Sequence, residues 1–411
     1  MAKRRVFTVE RSQSLLARAR KVEALIDARP GLFFTGVERL GGYPLFVERA
    51  SGPFLWDIDG NKYLDFILGY GSVILGHSHP TVSKAVRRQA QRLGGNPTLL
   101  NLQHVELAEK IVALNPSVES VTFLKTGSDA TDAAIRLARA VTGRKHVLHW
   151  GLHGWHDWCA PVPTGVLEAT TRHTTALRYN DLDHAKSLLT RLGSDVACVM
   201  VMPYEIDCPA PGYLAGLREL CRQHGALFIL DEIRSGFRIS LGGAQAHFGV
   251  EADLVTYGKA MANGYAISAL AGRKAYMKDV LSLGLTVTYF RMPDAMAAAN
   301  ATIDELVRAD VPGRLARLGS CLMAGLDRVA NEAGVPASSI GLPWTPFLQF
   351  SYSSSSDCER ALRMFCNGML SRGVLLSPSH HWFVCSSMDE ADIDRTIEIS
   401  REVFADLRRF F

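Results

Sequence analysis

Three separated segments carry side chains that together suit a phosphorylated aldehyde cofactor. Lys259 offers an amine that can bond covalently to an aldehyde. Asp231 ends an apolar run, where a carboxylate is costly to bury unless a positive group pairs with it. The motif Thr126-Gly127-Ser128 opens a helix after a strand, and the free N–H groups of a helix start attract phosphate. Together the three features predict a pyridoxal phosphate site, in which the ring serves as an electron sink.

Each segment also has a simpler interpretation. The glycine turn could be an ordinary connection in which Ser128 or Asp129 caps the helix. Asp231 could lie in a surface turn or, with Glu232, bind a metal. The next potential ligands are not at metal spacing, so no metal site is predicted. Lys259 could be a solvated charge. If it is buried, its pKa falls below the ordinary value of about 10.4, and the amine can also move a proton at the substrate carbon.

A loop rich in rings, His153-Gly-Trp155-His-Asp-Trp158, supplies a further candidate. His153 could orient the substrate or the cofactor, or it could be a structural histidine. Trp155 and Trp158 could line a pocket for a ring-shaped substrate or belong to the core. We favour the core for Trp158.

The elements that must position these side chains have the pattern of an α/β fold. Apolar runs that alternate with helical patterns cover residues 121–124, 146–150, 196–202 and 226–230. This alternation predicts a mostly parallel central sheet with helices on both faces. Thr126, His153, Asp231 and Lys259 each follow a predicted strand. Because ligands of such sheets bind beyond the carboxyl ends of the strands, we expect these four residues to lie close together.

The chain ends show a different pattern, which predicts a second, smaller α+β domain. Residues 11–27 have helical spacing, and residues 44–66 alternate as a hairpin. The predicted division assigns residues 1–65 to the N-terminal segment of the small domain, 66–305 to a large cofactor-binding domain and 306–411 to the C-terminal part of the small domain.

Composition limits the classes of partner. The 411 residues are 47% hydrophobic and 21% charged, with a net charge of +4 and no long basic run beyond Lys3-Arg4-Arg5, which argues against nucleic-acid binding. No apolar stretch reaches about 18 residues, so no membrane span is predicted. Eight scattered cysteines without Cys-x-x-Cys spacing indicate a reduced, cytoplasmic protein.

The ordered set of motifs resembles the class III, fold type I pyridoxal phosphate aminotransferases, in particular the glutamate-1-semialdehyde aminomutase branch. The resemblance extends from about Gly41 to Arg408. The motifs that carry it are residues 55–61, 75–80, 126–128, 152–154, 231–238 and 257–259.

The resemblance implies a role for each matching residue. Lys259 would hold the cofactor covalently, Asp231 would pair with the ring nitrogen, and Ile233 would cover one face of the ring. Thr126, Gly127 and Ser128 would bind the phosphate, beside Leu152 and His153. Thr288 would reach the cofactor of a neighbouring subunit, which implies a homodimer with shared active sites.

Departures from the family pattern bear on the substrate. Leu152 replaces an aromatic residue that stacks on the ring, and Phe290-Arg291-Met292-Pro293 and Met202-Pro203 replace other motifs. Thr35 aligns with the arginine that grips the substrate carboxylate in the aminomutase. Without that bidentate partner, glutamate-1-semialdehyde aminomutase activity is not expected.

These departures favour an aminotransferase for an aminosugar or aminoglycoside of antibiotic biosynthesis. Candidate substrate residues that are acidic or aromatic are Trp155, Asp157, Glu205, Asp207, His380, His381 and Trp382. Two alternatives stay open: an epimerase or aminomutase on the same scaffold, and a non-catalytic binding protein.

Overall fold

The structure is a computed structural model that describes residues 8–24, 46–286 and 288–411. The described chain forms two compact units. The first contains the described residues up to His79 together with Arg314–Phe411, and the second is Pro80–Gly313. Both chain ends therefore belong to one unit. The division at residues 65 and 305 stays a prediction.

The strands are β1 (Val47–Ser51), β2 (Phe54–Asp57), β3 (Lys62–Asp65), β4 (Ser120–Leu124), β5 (His146–Trp150), β6 (Thr174–Ala176), β7 (Val196–Val201), β8 (Leu227–Asp231), β9 (Leu254–Tyr257), β10 (Ser268–Gly272), β11 (Ala337–Leu342), β12 (Thr345–Phe350) and β13 (Val374–Leu375). The α-helices are α1 (Glu10–Ala19), α2 (Leu68–Gly71), α3 (Pro80–Leu93), α4 (Leu102–Leu114), α5 (Gly127–Thr142), α6 (Glu168–Thr171), α7 (Leu182–Leu192), α8 (Tyr213–His224), α9 (Gly243–Phe248), α10 (Lys274–Met277), α11 (Pro293–Arg308), α12 (Val311–Ala333), α13 (Ser355–Leu370) and α14 (Glu390–Leu407). Short 3-10 turns cover Asp157–Cys159, Gly193–Asp195, Lys259–Ala262 and Lys278–Leu283.

The first unit joins the two ends of the chain in one sheet. Its strand order is β1-β2-β3-β13, and β13 runs parallel to β3 with Val374 opposite Leu64. The predicted hairpin over 44–66 is thus part of a larger sheet. Strands β11 and β12 form a separate hairpin. Phe350, Phe365 and Phe404 pack together in the core that α13 and α14 cover.

Two predicted elements of this unit differ from the structure. The helix predicted over 11–27 ends at Ala19, and Val22, which would have extended its apolar face, is 87% exposed. Ile26 and Thr35 lie outside the described residues. Strand β11 was not predicted, because its sequence Ala-Ser-Ser-Ile-Gly-Leu lacks the alternation of apolar and polar residues that indicates a strand.

The second unit contains the predicted α/β sheet. Its strand order is β4-β10-β9-β8-β7-β5-β6, and all neighbours are parallel except β10, which is antiparallel to both β4 and β9. Because β10 runs against both, the carboxyl ends of β4 and β9 lie at the same edge as those of β5, β7 and β8. The prediction missed β10, whose sequence Ser-Ala-Leu-Ala-Gly carries only one large apolar side chain.

The core of the second unit lies between the central strands of the sheet and the small side chains of helix α5. All six residues of β7 are buried, as expected for a central parallel strand. Helix α5 packs near the sheet through small residues, since Ala130, Ala133, Ala134 and Ala138 are all at most 1% exposed. Each large apolar residue removed from such a core costs about 2–5 kcal/mol. The side chains at the carboxyl edge of the sheet therefore stand on a buried, well-packed core.

Candidate active site

Four of the predicted site residues meet the same edge of the sheet. Asp231 is the last residue of β8, Lys259 comes two residues after β9, and Thr126 comes two residues after β4. His153 lies in the loop that follows β5. This is the carboxyl edge, where the strand ends of an α/β sheet leave room for a ligand.

Asp231 is a buried carboxylate with three partners. Its Oδ2 lies 2.7 Å from His153 Nδ1. Its Oδ1 accepts hydrogen bonds from the backbone N–H of Ile233 at 3.1 Å and from Thr256 Oγ1 at 3.2 Å. Thr256 stands opposite Asp231 in the register of β8 and β9. The carboxylate is therefore held in place from two neighbouring strands and from the loop after β5.

His153 connects Asp231 to an aromatic cluster. The His153 ring stacks on Trp158 with centroids 5.8 Å apart and an interplanar angle of 16°. Its backbone carbonyl accepts a hydrogen bond of 2.6 Å from Thr131 Oγ1 in α5. Within the described ranges, the buried Nε2 has no hydrogen-bond partner. Trp158 is 6% exposed, in agreement with the core position favoured from the sequence.

Lys259 adopts a backbone conformation that is unusual for its type. Its φ is +41°, in the left-handed region, and such strained residues cluster at functional sites. The side chain keeps some accessible surface, but the dense surroundings lower the pKa of the amine to about 8. Desolvation is the main cause. The positive charges of Arg234 and Arg238 lower the pKa further, and Asp231 opposes them. About one tenth of the amine is therefore uncharged at pH 7.

The start of α5 forms a capped turn with free donors. Thr126 Oγ1 accepts from the N–H of Asp129, and the Asp129 carboxylate accepts from the N–H of Thr126 at 2.7 Å. This capping box satisfies two N–H groups, and those of Gly127 and Ser128 have no acceptor among the described residues and can serve a ligand. Gly154 has a φ of +121°, and a Cβ at this position would overlap with Ser128 Oγ. The two loops at the edge of the sheet therefore interlock.

Ile233 lies between two glycines of the site. A Cβ added to Gly127 would stand 3.3 Å from Ile233 Cγ2, and one added to Gly258 would stand 3.2 Å from Ile233 Cδ1. Both glycines thus let the backbone approach the isoleucine closely. The Ile233 side chain therefore contacts both the turn at Gly127, where α5 begins, and Gly258, which precedes Lys259.

Two further groups at this edge were not assigned a role from the sequence. Glu232 is fully buried and accepts from the N–H groups of Ala244 and Gln245 and from Ser235 Oγ, and burial raises its pKa to about 7. Arg234 is 6% exposed and donates to the carbonyl oxygen of Tyr204. The signal that could have found Arg234 is a cation three residues after a buried strand, close to a candidate amine.

The remaining predicted residues lie elsewhere or at the surface. Leu152 and Trp155 are 61% and 74% exposed, and Glu205 is exposed as well. Thr288 is exposed, and its carbonyl oxygen accepts a hydrogen bond of 2.5 Å from Asn96.

His380 and His381 belong to the first unit. The His380 ring contacts Tyr70 edge-on, and His381 is 3% exposed beside Phe383. The structure therefore describes the two histidines only within their own unit, and their assignment as substrate residues stays a prediction.

The arrangement fits pyridoxal phosphate on three grounds: free N–H groups at the start of α5, a fixed carboxylate at Asp231, and an amine at Lys259 with a lowered pKa. A family profile described as Aminotransferase class-III matches residues 38–388. The chain belongs to the class III aminotransferases. It is a pyridoxal-phosphate-dependent enzyme and has fold type I, as the resemblance implied.

Individual relatives agree with this family. The aminotransferase is 38% identical to 3-aminobutyryl-CoA aminotransferase of Cloacimonas acidaminovorans, over 90% of this chain and 91% of the relative. It is 36% identical to glutamate-1-semialdehyde 2,1-aminomutase of Desulfitobacterium hafniense, over 98% and 99% of the two chains. Among solved structures, FumI of Sphingopyxis sp. MTA144 has a TM-score of 0.90 at 28% identity, with 97% of each chain covered.

Two further observations concern the cysteines and the helices of the aminotransferase. All eight cysteines are free thiols. The helices of the described ranges are too short or too polar to serve as a bilayer span.

Proposed function

We propose that Lys259, Asp231 and the start of α5 form the catalytic site of this aminotransferase. The observation that carries this proposal is the convergence of an amine with a lowered pKa, a fixed carboxylate and free helix N–H groups at one edge of the sheet. Gly127 and Ser128, beside Thr126, would bind the phosphate. Asp231 would hold the ring nitrogen, and Ile233 would cover one face of the ring next to Leu152 and His153.

The residues of the chain divide the chemical work. The bound cofactor supplies an electron sink for the charge that develops at the substrate carbon when that carbon loses its proton. Lys259, released as a free amine, accepts the proton and returns it, and its lowered pKa suits this exchange near neutral pH. Asp231 keeps its orientation because His153 and Thr256 hold both carboxylate oxygens. His153 acts as a positioning residue for Asp231.

A variant pair tests the catalytic assignment. Lys259→Ala removes the amine that holds the cofactor and moves the proton, so we expect kcat/KM to fall by at least about 10⁴-fold, with loss of the visible absorbance of the lysine-bound cofactor. Lys278→Ala, at an exposed lysine of the same unit, is the control and should retain both. Retained absorbance in Lys259→Ala would refute the assignment.

For the substrate, we propose an amine whose carbon carries no carboxylate, and within this class an aminosugar. Support comes from the relative named for 3-aminobutyryl-CoA, in which the amine is not on the α-carbon, and from the exposed Trp155 and Glu205, which suit a cationic ring. Asp157 and Asp207 are also exposed and add negative charge. Trp382 is 1% exposed and belongs to the core of the first unit, which leaves it no surface for a substrate.

A donor screen separates these substrate classes. The holoenzyme is mixed with single amines, and conversion of the cofactor to its amine form is followed by absorbance. Aminoglycosides and aminosugars are compared with β- and ω-amino acids and with α-amino acids. We expect the fastest response from an aminosugar. A rapid response to β- or ω-amino acids alone would refute the aminosugar, and a rapid response to α-amino acids alone would refute the whole class.

A second candidate function is an aminomutase or epimerase. It is favoured by the relative named glutamate-1-semialdehyde 2,1-aminomutase, which covers almost the entire chain. The same site could move a proton without net amino transfer. Incorporation of solvent deuterium into the substrate, with no keto acid formed or consumed, would support this candidate over transamination.

We also propose a cytoplasmic homodimer with shared active sites. Four exposed apolar side chains follow Asn96 in the sequence: Leu99, Leu100, Leu102 and Val105. Asn96 donates a hydrogen bond to the Thr288 carbonyl oxygen, which places Thr288 near this patch. A second copy of the chain would cover the patch, and Thr288 would then reach the cofactor of that second copy. Leu99→Glu with Leu102→Glu should shift the mass measured by light scattering from dimer to monomer, whereas Leu281→Glu, at a 93% exposed position, should not.

A further inference from the structure

Three metal-ligating side chains meet at the edge of the sheet opposite to the candidate active site. His146 begins β5, His173 directly precedes β6, and Asp195 directly precedes β7. One ligand atom from each residue lies within 4.8 Å of the other two. We propose that His146, His173 and Asp195 form a binding site for a divalent transition-metal ion such as Zn²⁺. The site is separate from the cofactor and independent of the proposed reaction.

The backbone fixes the relative positions of the three residues. The N–H of Val147 donates to the carbonyl oxygen of His173 at 2.8 Å, and the N–H of Lys145 donates to that of Asp195 at 3.1 Å. His146 also stands opposite Val196 in the register of β5 and β7. The ligands therefore stand next to hydrogen-bonded strand starts, which hold a constellation more accurately than free loops do.

The donor set suits zinc. Two imidazole nitrogens and one carboxylate oxygen are a common set of three protein ligands, and water completes the tetrahedron. Bond lengths of about 2.0–2.2 Å place tetrahedral ligand atoms about 3.3 Å apart, so ligand atoms that now lie within 4.8 Å of one another would have to approach by up to about 1.5 Å, which side-chain rotation can supply. Thr175 Oγ1 lies 2.8 Å from His146 Nε2 and holds the orientation of that ring.

The surroundings set the route and the strength of binding. His146 is 7% exposed, but His173 and Asp195 reach the surface, and His173 also lines an open cavity of about 440 Å³. An ion can therefore enter from that side. Arg139 and Arg191 act electrostatically on His146, and their positive charge opposes a cation. We expect weaker binding than in a closed site with four protein ligands.

Occupation would tie three strands together. Strand β6 has only three residues and lies at the edge of the sheet beyond β5. A metal that links the residues before β6 and β7 to the start of β5 would restrain β6, the outermost strand on that side of the sheet. Because only the folded chain brings the three ligands together, the ion should bind it more tightly than the unfolded chain and raise the thermal midpoint of unfolding.

The test uses untagged holoenzyme in a Cys208→Ser/Cys321→Ser background, since these two exposed thiols are competing ligands. Zn²⁺ alone is titrated by calorimetry after chelator treatment, and the thermal midpoint is measured with and without Zn²⁺. The variants are His173→Gln and Asp195→Asn, both at partly exposed positions. The matched control is His224→Gln, at the end of α8.

The expected result is one Zn²⁺ per chain. Affinity should fall at least about tenfold in His173→Gln and in Asp195→Asn but stay unchanged in the control. The rise of the thermal midpoint should be lost in the same two variants. Absence of saturable binding, binding that both ligand variants retain, or equal weakening in His224→Gln would each overturn the proposal.

Discussion

The two edges of the seven-stranded sheet each gather polar side chains from several strands, but they do so by different means. At the carboxyl edge, Lys259 and Gly154 have positive φ values of +41° and +121°, and Asp231 is held by partners from three segments. At the amino edge, His146, His173 and Asp195 have no positive φ, and the pairing of β5 with β6 and β7 brings them together.

The difference shows what each edge demands of the sequence. The carboxyl edge needs glycines at close approaches, a capping box and a strained lysine, and these requirements concentrate in short contiguous motifs. The amino edge depends mainly on the pairing of β5 with β6 and β7, which leaves no contiguous motif. We therefore expect the effect of a substitution at the carboxyl edge to depend strongly on its position. Two neighbouring residues of similar chemistry can differ widely in their effect on activity.

After the loss expected for Lys259→Ala, the largest effect is expected at two adjacent carboxylates. Asp231→Asn removes the charge that faces the ligand space, so we expect kcat/KM to fall by about 10²- to 10³-fold with little change in urea stability. Glu232→Gln replaces one of the two accepting oxygens with an NH2 donor, which then faces the N–H of either Ala244 or Gln245, so we expect a loss of about 1–3 kcal/mol in the free energy of unfolding. Its kcat/KM should stay within about tenfold. A reversed pattern would show that the site is centred on Glu232.

A smaller effect separates steric contact from backbone strain. Gly154→Ala places a methyl group against Ser128 Oγ and should weaken pyridoxal phosphate binding by about tenfold or more. Gly165→Ala is the matched control. Gly165 also has a positive φ, of +82°, but no atom lies within 4 Å of an added Cβ.

The control variant should lose about 1 kcal/mol of stability through strain and no cofactor affinity. Equilibrium dialysis of the cofactor and urea unfolding measure the two effects. Equal losses of affinity in both variants would mean that strain, and not the contact with Ser128, controls the site.

The sequence predicted the carboxyl edge well because its information is local. The apolar run 146–150 is strand β5 as predicted, and Thr126, His153, Asp231 and Lys259 follow their strands. Strand β10 was missed because four of its five residues are small. At Gly272 the reason is steric, since a Cβ there would stand 2.5 Å from the carbonyl oxygen of Asp253.

Other features depend on contacts between distant residues. The bond from Arg234 to the Tyr204 carbonyl spans two loops, and no local pattern marks it. The cluster of His146, His173 and Asp195 has no motif, because its members are separated by whole helices and meet only through the order β7-β5-β6. Sequence spacing therefore predicted no metal ligands there.

The smallest expected effect concerns the charge that Arg234 places near Lys259. Cofactor uptake by the apoenzyme needs the neutral amine, whose fraction rises with pH. With a pKa of about 8, the neutral fraction is about one tenth at pH 7 and about nine tenths at pH 9. The rate of reconstitution should therefore rise about tenfold over this range, with a midpoint near pH 8.

Arg234→Gln removes a positive charge that lowers this pKa, so the midpoint should move upward by about half a unit. Arg234→Lys keeps the charge and should leave the midpoint in place. If Arg234→Lys shifted the midpoint as far as Arg234→Gln, the hydrogen bond to Tyr204 and not the charge would tune Lys259, and the carboxyl edge would depend on its loop contacts even for its electrostatics.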